Sequence, residues 1–255
     1  MSFFDNVSSS AGTENAKVDT YITEAKVKQG STVSGEVYVL GGESEQHIKG
    51  VYLSVMTSVL IEENNKKSME DVEIQKVKVS EPFTIAPKEE KTISFSFILS
   101  PETPMTVKRV EVWFKTTLDV SFECDPRDKN YIHVVGTEAA EKILDAIQQL
   151  DFPIKRVVTL KSRRTYSGVV QEFEFYTGGN FKKNFSEMEM VLISDSTGTT
   201  AYIELDRHEK ETKDLIANTI DRDEAKLFLH YRYSDVPSVD EITNQLQDLL
   251  LSKVR

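Results

Sequence analysis

One helical pattern stands in the middle of an otherwise strand-like sequence, between residues 136 and 152. Four apolar side chains recur there at intervals of three and four residues, which places them on one face of a helix. These residues are Ile143, Ala146, Ile147 and Leu150. Thr137 is placed to cap the start of the helix. Pro153 ends it, because the residue before a proline avoids the helical region. The pattern therefore predicts two β-rich parts separated by one short helix.

Strand patterns with a period of two residues fill the sequence on both sides of this helix. In the segment 92–99, apolar residues alternate with threonine and serine, as in a strand that buries one face. Segments 171–176 and 188–193 show strand patterns in the second half, and residues 211–220 are predicted to form a short helix. Two sheets packed face to face would bury such apolar faces. The sequence therefore predicts an all-β fold.

The predicted organisation is two β-sandwich domains joined by the short α-helix, with a further α-helix at the C-terminus. A chain of 255 residues is at the size where one hydrophobic core tends to divide into two. The N-terminal sandwich is predicted to span residues 1–135, and the linker helix residues 136–152. The C-terminal sandwich is predicted to span residues 153–237, and the terminal helix residues 238–255.

The terminal helix begins at a capping box, in which Ser238 is followed three residues later by Glu241. Three apolar residues, Ile242, Leu246 and Leu249, then share one face of the helix. Two interpretations of this face remain open. It packs on the body of the protein, or it is a docking helix for a partner protein or a second copy of the chain.

The charge and the cysteine content limit the classes of partner and compartment. The net charge is −11, and the acidic residues are spread through both halves of the chain. An acidic surface repels nucleic acid phosphates and anionic lipid, so we expect neither as a partner. The single cysteine, Cys124, cannot form an internal disulfide, and no apolar run reaches the length of a membrane span. We therefore expect a cytoplasmic protein without integral membrane association.

No pattern of residues in the sequence indicates catalysis. The four histidines lie in different segments, and none has metal-ligand spacing with another histidine or with the cysteine. Motifs for nucleophilic serine, nucleotide phosphates or calcium loops do not occur. The prediction is a non-enzymatic protein with no catalytic residue, no cofactor and no metal.

One cluster of charges is a candidate for a contact between the domains. Asp125 and Asp128 flank Pro126 in a predicted turn. Their carboxylates could bind a hard cation, pair with Arg163 and Arg164 if the two halves meet there, or remain solvated. We predict an interdomain polar contact formed by Asp125, Asp128, Arg163 and Arg164.

Several stretches of the sequence resemble a known protein family. Residues 30–55 are similar to the opening of arrestin-like domains, and residues 81–106 are similar to a second segment of that fold. Residues 110–134, then the helix, then VVQEFEF at 169–175 and AYIELDR at 201–207 resemble the stage-zero sporulation-control protein M family. The resemblance covers nearly the whole chain and is strongest over residues 16–135.

The resemblance implies two arrestin-like β-sandwiches and a cytoplasmic regulator that acts at an early stage of sporulation. It implies that the protein acts through contacts with other cytoplasmic proteins rather than through catalysis. A homodimer is a further possibility, which comes from the terminal helix and not from the resemblance. The alternative is a module that binds a small ligand or a metal in the groove between the domains. No family motif assigns a catalytic residue to this sequence.

Overall fold

The computed structural model describes residues 15–63, 66–120, 129–206 and 227–254. Over these residues, ten strands precede the central helix: β1 (Lys17–Ile22), β2 (Lys26–Lys28), β3 (Thr32–Leu40), β4 (Gln46–Ile48), β5 (Gly50–Glu63), β6 (Lys66–Lys78), β7 (Phe83–Ile85), β8 (Glu90–Ile98), β9 (Val112–Asp119) and β10 (Asn130–Val135). Five described strands follow it: β11 (Ile154–Lys161), β12 (Val169–Tyr176), β13 (Glu187–Ser194), β14 (Gly198–Asp206) and β15 (Leu227–Arg232). The helices within the described ranges are α1 (Glu138–Gln149) and α2 (Val239–Ser252), with a short 3-10 helix at Gly179–Phe181.

The first half, up to Val135, is a β-sandwich. One sheet has the strand order β1-β3-β8, and the facing sheet has the order β2-β10-β9-β5-β6. Alternate residues of each strand point between the sheets, so that Val37 of β3, Leu53 of β5 and Phe114 of β9 are fully buried in one core. The alternation of apolar and polar residues therefore places the apolar side chains of these strands between the two sheets, as the sequence predicts.

The second half contains one antiparallel sheet over its described residues, with β11 to β15 in chain order. One face of this sheet packs against α1 and α2, and it buries Phe173, Phe175, Met190 and Ile203 completely. In the described part of the second half, two helices thus cover one face of the sheet. In the first half, a second sheet covers the corresponding face. The prediction of an all-β fold with a central helix and a C-terminal helix is confirmed. The predicted domain boundaries remain a prediction.

Helix α1 begins as the sequence predicts. The backbone N–H of Ala140 donates to the side-chain oxygen of Thr137, which caps the helix at 3.2 Å. The helix is followed by Asp151 in a left-handed conformation with φ of 64°. Gly178 passes so close to it that a Cβ there would lie 2.1 Å from the Asp151 carbonyl oxygen. The end of α1 therefore requires a glycine on the loop after β12.

Helix α2 is part of the hydrophobic core. Ile242 and Leu246 are 0% and 1% exposed, and Leu249 is partly buried against the same cluster. Thr243 Oγ1 donates to Gln149 Oε1 at 2.8 Å, which ties α2 to the end of α1. Of the two interpretations left open by the sequence, the structure shows the packed arrangement. Docking of a partner on this helix face remains a prediction.

The capping box of α2 is expected to stabilise the protein. Glu241 N donates to Ser238 Oγ at 3.3 Å, and Ser238 N donates to Glu241 Oε2 at 2.8 Å. We expect Ser238→Ala to lower the free energy of unfolding by about 1 kcal/mol, because one helix N–H loses its acceptor. Urea denaturation followed by circular dichroism measures the change. Ser252→Ala, at the other end of the helix, is the control, and an equal loss in both variants would contradict the capping role.

Several residues named in the sequence analysis lie outside the described residues. They are Cys124, Asp125, Asp128 and the helix predicted over residues 211–220. No helix in the described part of the chain has the length and apolar character needed to cross a membrane.

Candidate functional site

The two halves meet around the start of α1, and Gln29 at the end of β2 joins three parts of the chain there. Its side-chain Nε2 donates to the carbonyl oxygen of Thr103 at 2.5 Å. Its Oε1 accepts from the backbone N–H of Thr137 at 3.1 Å. Gln29 is buried, so these bonds replace contacts with water. This side chain therefore attaches the first half to the start of the central helix.

A chain of hydroxyl groups continues from the helix cap into the second sheet. The hydroxyl oxygens of Thr137 and Thr199 lie 2.8 Å apart, and those of Thr199 and Ser194 lie 2.9 Å apart. All three residues are buried. Because Thr199 lies in β14 and Ser194 ends β13, the helix cap is tied to two strands of the second half.

Gln171 of β12 makes the reciprocal contact from the second half to the first. Its Oε1 accepts from the backbone N–H of Met105 at 3.0 Å, and its Nε2 donates to the carbonyl oxygen of Met105 at 2.7 Å. Both residues are buried, Met105 at 1% exposure. The side chain thus satisfies both backbone groups of a residue that has no strand partner. We call Gln29, Thr137, Thr199 and Gln171 the interdomain network.

The hairpin between β11 and β12 is also attached to the first half. Glu102 Oε1 accepts from the backbone N–H of Tyr166 at 3.1 Å, and its Oε2 accepts from that of Ser167 at 2.6 Å. Arg163 and Arg164 lie in this hairpin and are exposed. Their predicted contact with Asp125 and Asp128 remains a prediction, since both carboxylates lie outside the described residues.

A second contact joins the hairpin strand to the edge of the first sandwich. Lys161 Nζ lies 3.0 Å from the carboxylate of Glu70 in β6. Leu60 of β5 packs on a small apolar cluster that contains Leu160 and Val170. Over the described residues, the halves are therefore joined at the buried polar network, at the hairpin tip through Glu102, and at this partly exposed edge.

A groove of about 420 Å³ opens between the halves beside the start of α1. It is lined by apolar side chains such as Ile98 and Tyr233 and by the charged residues Lys28, Glu138 and Asp195. A hydrogen bond from Lys142 lowers the pKa of Glu138 below its usual value. Cavities of this volume accept small ligands. The alternative prediction, a module that binds a small ligand between the domains, places the ligand in this groove.

The electrostatics of Asp195 in this groove are determined by its own turn. Burial raises the pKa of Asp195, but hydrogen bonds from Thr197 and Gly198 outweigh this effect and lower the pKa below its usual value. Asp195 Oδ1 accepts from the backbone N–H of Thr197 at 2.6 Å and from that of Gly198 at 3.0 Å. The carboxylate is therefore ionised at neutral pH and holds the β13–β14 turn in shape.

Six carboxylates share the other face of the second sheet. They are Glu172 and Glu174 of β12, Glu187 and Glu189 of β13, and Glu204 and Asp206 of β14. Glu174, Glu189 and Glu204 lie directly opposite one another on neighbouring strands. We call the six residues the carboxylate row. Like charges at such positions repel, so the row must be balanced by cations or by protonation.

Two basic residues of β11 balance one end of the row. Arg156 Nη1 lies 2.8 Å from Glu174, and Lys155 pairs with both Glu174 and Glu187. Burial, followed by the charges of neighbouring carboxylates, raises the pKa of Glu189 to about 8. Glu189 therefore carries a proton at neutral pH, while its neighbours beside β11 are paired as carboxylates.

Metal ligands do not converge in the part of the chain that the structure describes. No group of three or more histidine, cysteine, aspartate or glutamate side chains there has the geometry to hold a metal ion.

Comparisons with known proteins give one consistent result. The chain matches the family Spo0M, described as SpoOM protein, over residues 4–209. It is 30% identical over 256 residues to the sporulation-control protein spo0M of Bacillus subtilis (strain 168), and the match covers 98% of each chain. The crystal structure of Spo0M from Bacillus subtilis superimposes with a TM-score of 0.83 at 29% identity. That superposition covers 94% of this chain and 99% of the other.

Proposed function

The chain belongs to the Spo0M family, and on this premise we propose that it is a cytoplasmic regulator that acts at an early stage of sporulation. The observation that carries the proposal is the similarity to the sporulation-control protein of Bacillus subtilis over 98% of both chains. Similarity of this extent includes both halves and the helix between them. The proposal therefore concerns the whole chain rather than one module.

We propose further that the protein regulates through contacts with other proteins and not through catalysis. The buried polar groups at the junction, Gln29, Thr137 and Gln171, are engaged in holding the halves together. The exposed features are those of a binding protein, since β8 and β6 form the edges of their sheets. Residues 92–98 of β8 carry no charge, and such an edge can pair with an extended strand of a partner.

Crosslinking in sporulating cells, followed by affinity purification and mass spectrometry, tests this proposal. The whole chain is the bait, because removal of α2 would take Ile242 and Leu246 out of the core and expose the apolar sheet face that they cover. The expected result is recovery of specific cytoplasmic proteins with the folded bait. Recovery of no protein beyond those seen with an unrelated acidic bait would contradict a regulator that acts by contact.

A homodimer is a second form of the same proposal. Leu251 of α2 is 48% exposed, beside the buried face of the helix, and it would be available to a second copy or to a partner. Analytical ultracentrifugation of the whole chain and of the variant Leu251→Glu distinguishes binding of a second copy from binding of another protein. A dimer that the variant loses would place the second copy on α2, whereas a monomer in both leaves the helix to other proteins.

The interdomain groove supports one alternative function, the binding of a small ligand. Its volume of about 420 Å³ and its mixture of apolar and charged lining residues are the observation in favour. A ligand bound to the folded protein must raise the melting temperature. A thermal-shift screen of metabolites, with calcium, magnesium and zinc included, is the test. An unchanged melting temperature throughout the screen would count against the groove.

A further inference from the structure

The edge strand β8 directs part of its backbone away from β3, the strand with which it pairs. Leu99 N donates to the carbonyl oxygen of Ser31 at 2.9 Å, and Gly41 N donates to that of Glu89 at 2.8 Å. Both pairs belong to one antiparallel register, so the odd-numbered residues of β8 bond to β3 and the even-numbered residues face the edge. Three successive residues therefore direct their backbone N–H and C=O groups outward: Thr92, Ser94 and Ser96.

This outward-facing run has defined ends. Gln75 of the facing strand β6 donates from its Nε2 to the carbonyl oxygen of Ile98 at 2.9 Å, which occupies the edge at one end. At the other end, Lys91 Nζ lies 5.0 Å from the ring centre of Phe83 in β7. Between these contacts, no residue that the structure describes bonds to the outward backbone groups of residues 92–96. We call residues 92–96 the open edge.

The side chains of the open edge determine which strand fits beside it. Its even-numbered residues carry exposed hydroxyl groups on the outer face of the sheet. On the inner face, Ile93 and Phe97 of β8 and Val72 of β6 are only partly buried at the margin of the core. A strand that extends a sheet places its side chains on the same two faces as its neighbour. A fitting segment therefore alternates apolar residues with small hydroxyl residues and carries no charge.

Other described edge strands of the first half carry charges that the open edge lacks. Strand β6 contains four lysines and three acidic residues among its 13 residues. Strand β1 carries Lys17 and Asp19 within six residues. Charged side chains on an edge strand oppose pairing with a foreign strand, because they would have to lose water. Residues 92–98 of β8 have no such protection, which is typical of an edge that binds a partner strand.

We propose that the open edge is the docking site for an extended, uncharged segment of a partner protein, which adds a fourth strand to the sheet β1-β3-β8. The inference rests on the proposed function, because it gives the chemistry of the partner that a regulator acting by contact would bind. A second copy of the chain fits less well. Each copy carries a net charge of −11, and two such surfaces repel one another.

Calorimetric titration of the whole protein with a short peptide of alternating valine and threonine, blocked at both ends, tests the site. Two derivatives carry N-methyl groups, one on all valine nitrogens and the other on all threonine nitrogens. Successive N–H groups of a strand point in opposite directions, so only one derivative loses the hydrogen bonds to β8. We expect its affinity to fall by a factor of about ten or more, and that of the other to stay within a factor of about two. Added salt should leave the affinity of the unmethylated peptide unchanged.

Ser94→Pro tests the same site from the side of the protein. Proline removes the outward N–H of residue 94, and the bonds between β8 and β3 remain. We expect the affinity for the unmethylated peptide to fall by a factor of about ten or more. Ser94→Ala is the matched control, since it removes the hydroxyl group and keeps the N–H, and its affinity should stay within a factor of about two. Circular dichroism melting curves establish that both variants are folded.

Four results would overturn the proposal. They are no binding of the unmethylated peptide, equal affinities of the two methylated derivatives, equal losses in Ser94→Pro and Ser94→Ala, and a dimer of the parent protein that Ser94→Pro converts to a monomer in sedimentation. The last result would assign the open edge to a second copy. If Ser94→Pro does not fold, the pair of methylated peptides decides the question with the parent protein alone.

Spore counts distinguish failure of this inference from failure of the proposed function. In a Bacillus subtilis strain that lacks spo0M, the unchanged chain and the folded Ser94→Pro variant are expressed at equal levels. If both restore the parental spore count, the open edge is not the docking site and the regulatory function stands. If the unchanged chain fails as well, the proposed function fails whatever the open edge binds. Restoration by the unchanged chain alone supports both.

Discussion

Replacement of Gln171 by leucine is expected to lower the free energy of unfolding by about 1–3 kcal/mol. The leucine side chain has a similar volume but leaves the backbone N–H of Met105 buried without its acceptor. The carbonyl oxygen of Met105 loses one of its two donors and keeps the hydrogen bond from Val107 N at 2.9 Å. Each unpaired buried group costs about 1–3 kcal/mol. Urea denaturation of the purified variant measures the loss. Because the contact joins the halves, we also expect limited proteolysis to cut the variant near the junction faster than the parent protein.

Gln75→Leu is the matched control for this prediction. Gln75 forms the same kind of bridge, since its Nε2 donates to the Ile98 carbonyl oxygen at 2.9 Å and its Oε1 accepts from Ser100 N at 2.8 Å. That bridge lies within the first half and is partly exposed, so water can take over the hydrogen bonds that Gln75 makes. We expect Gln75→Leu to lower the free energy of unfolding by about 1 kcal/mol or less. Equal losses for the two variants would contradict the assignment of Gln171 to a buried junction.

Glu189→Gln is expected to stabilise the protein, and the gain should grow as the pH rises. The pKa of Glu189 is raised to about 8 in the folded protein, against 4.5 for an ordinary glutamate. Between these values the folded state holds a proton that the unfolded state has released, so rising pH destabilises the parent protein across this window. Glutamine removes this effect because it does not ionise.

The expected gain is about 1–3 kcal/mol at pH 8, after allowance for screening by solvent at this partly exposed side chain. Near pH 5 the two proteins should unfold at nearly the same urea concentration. Urea midpoints measured between pH 5 and 8.5 give the difference. Glu111→Gln removes a charge from an exposed position of the first half and is the control. A difference that stays constant with pH, or that decreases as the pH rises, would show that Glu189 is not the titrating group.

The features that sequence reasoning found are those with a local signal. Helix α1 follows from apolar residues at spacings of three and four, and its start follows from one capping threonine. The capping box at Ser238 and Glu241 likewise lies within four residues of the chain. The strands of the first sandwich follow from alternation, because each strand buries one face.

The interdomain network could not be predicted, because its members are single residues far apart in the chain. Gln171 lies 66 residues from Met105, and Gln29 lies 108 residues from Thr137. A lone glutamine in a strand pattern looks like an exposed residue until the opposite half is known. The predicted contact of Arg163 and Arg164 with Asp125 and Asp128 remains a prediction, because both carboxylates lie outside the described residues.

The carboxylate row had a signal that the sequence analysis did not use. Acidic residues recur at alternate positions in EFEF of β12, in EMEM of β13 and in the ELD segment of β14. Alternation places each pair on one face of its strand. Only the register, which sets Glu174 opposite Glu189 and Glu189 opposite Glu204, brings the pairs together. Register depends on turn lengths and on packing between strands, so a pattern within one strand does not determine it.

Complementation is the measurement that tests the central claim, that this chain regulates sporulation as a member of the Spo0M family. The spo0M gene of Bacillus subtilis is deleted, and this chain is expressed in its place at the level of the native protein. We predict that the heat-resistant spore count, altered by the deletion, returns to the parental value. A count that stays at the value of the deletion strain, with the folded protein present at that level, would contradict the claim.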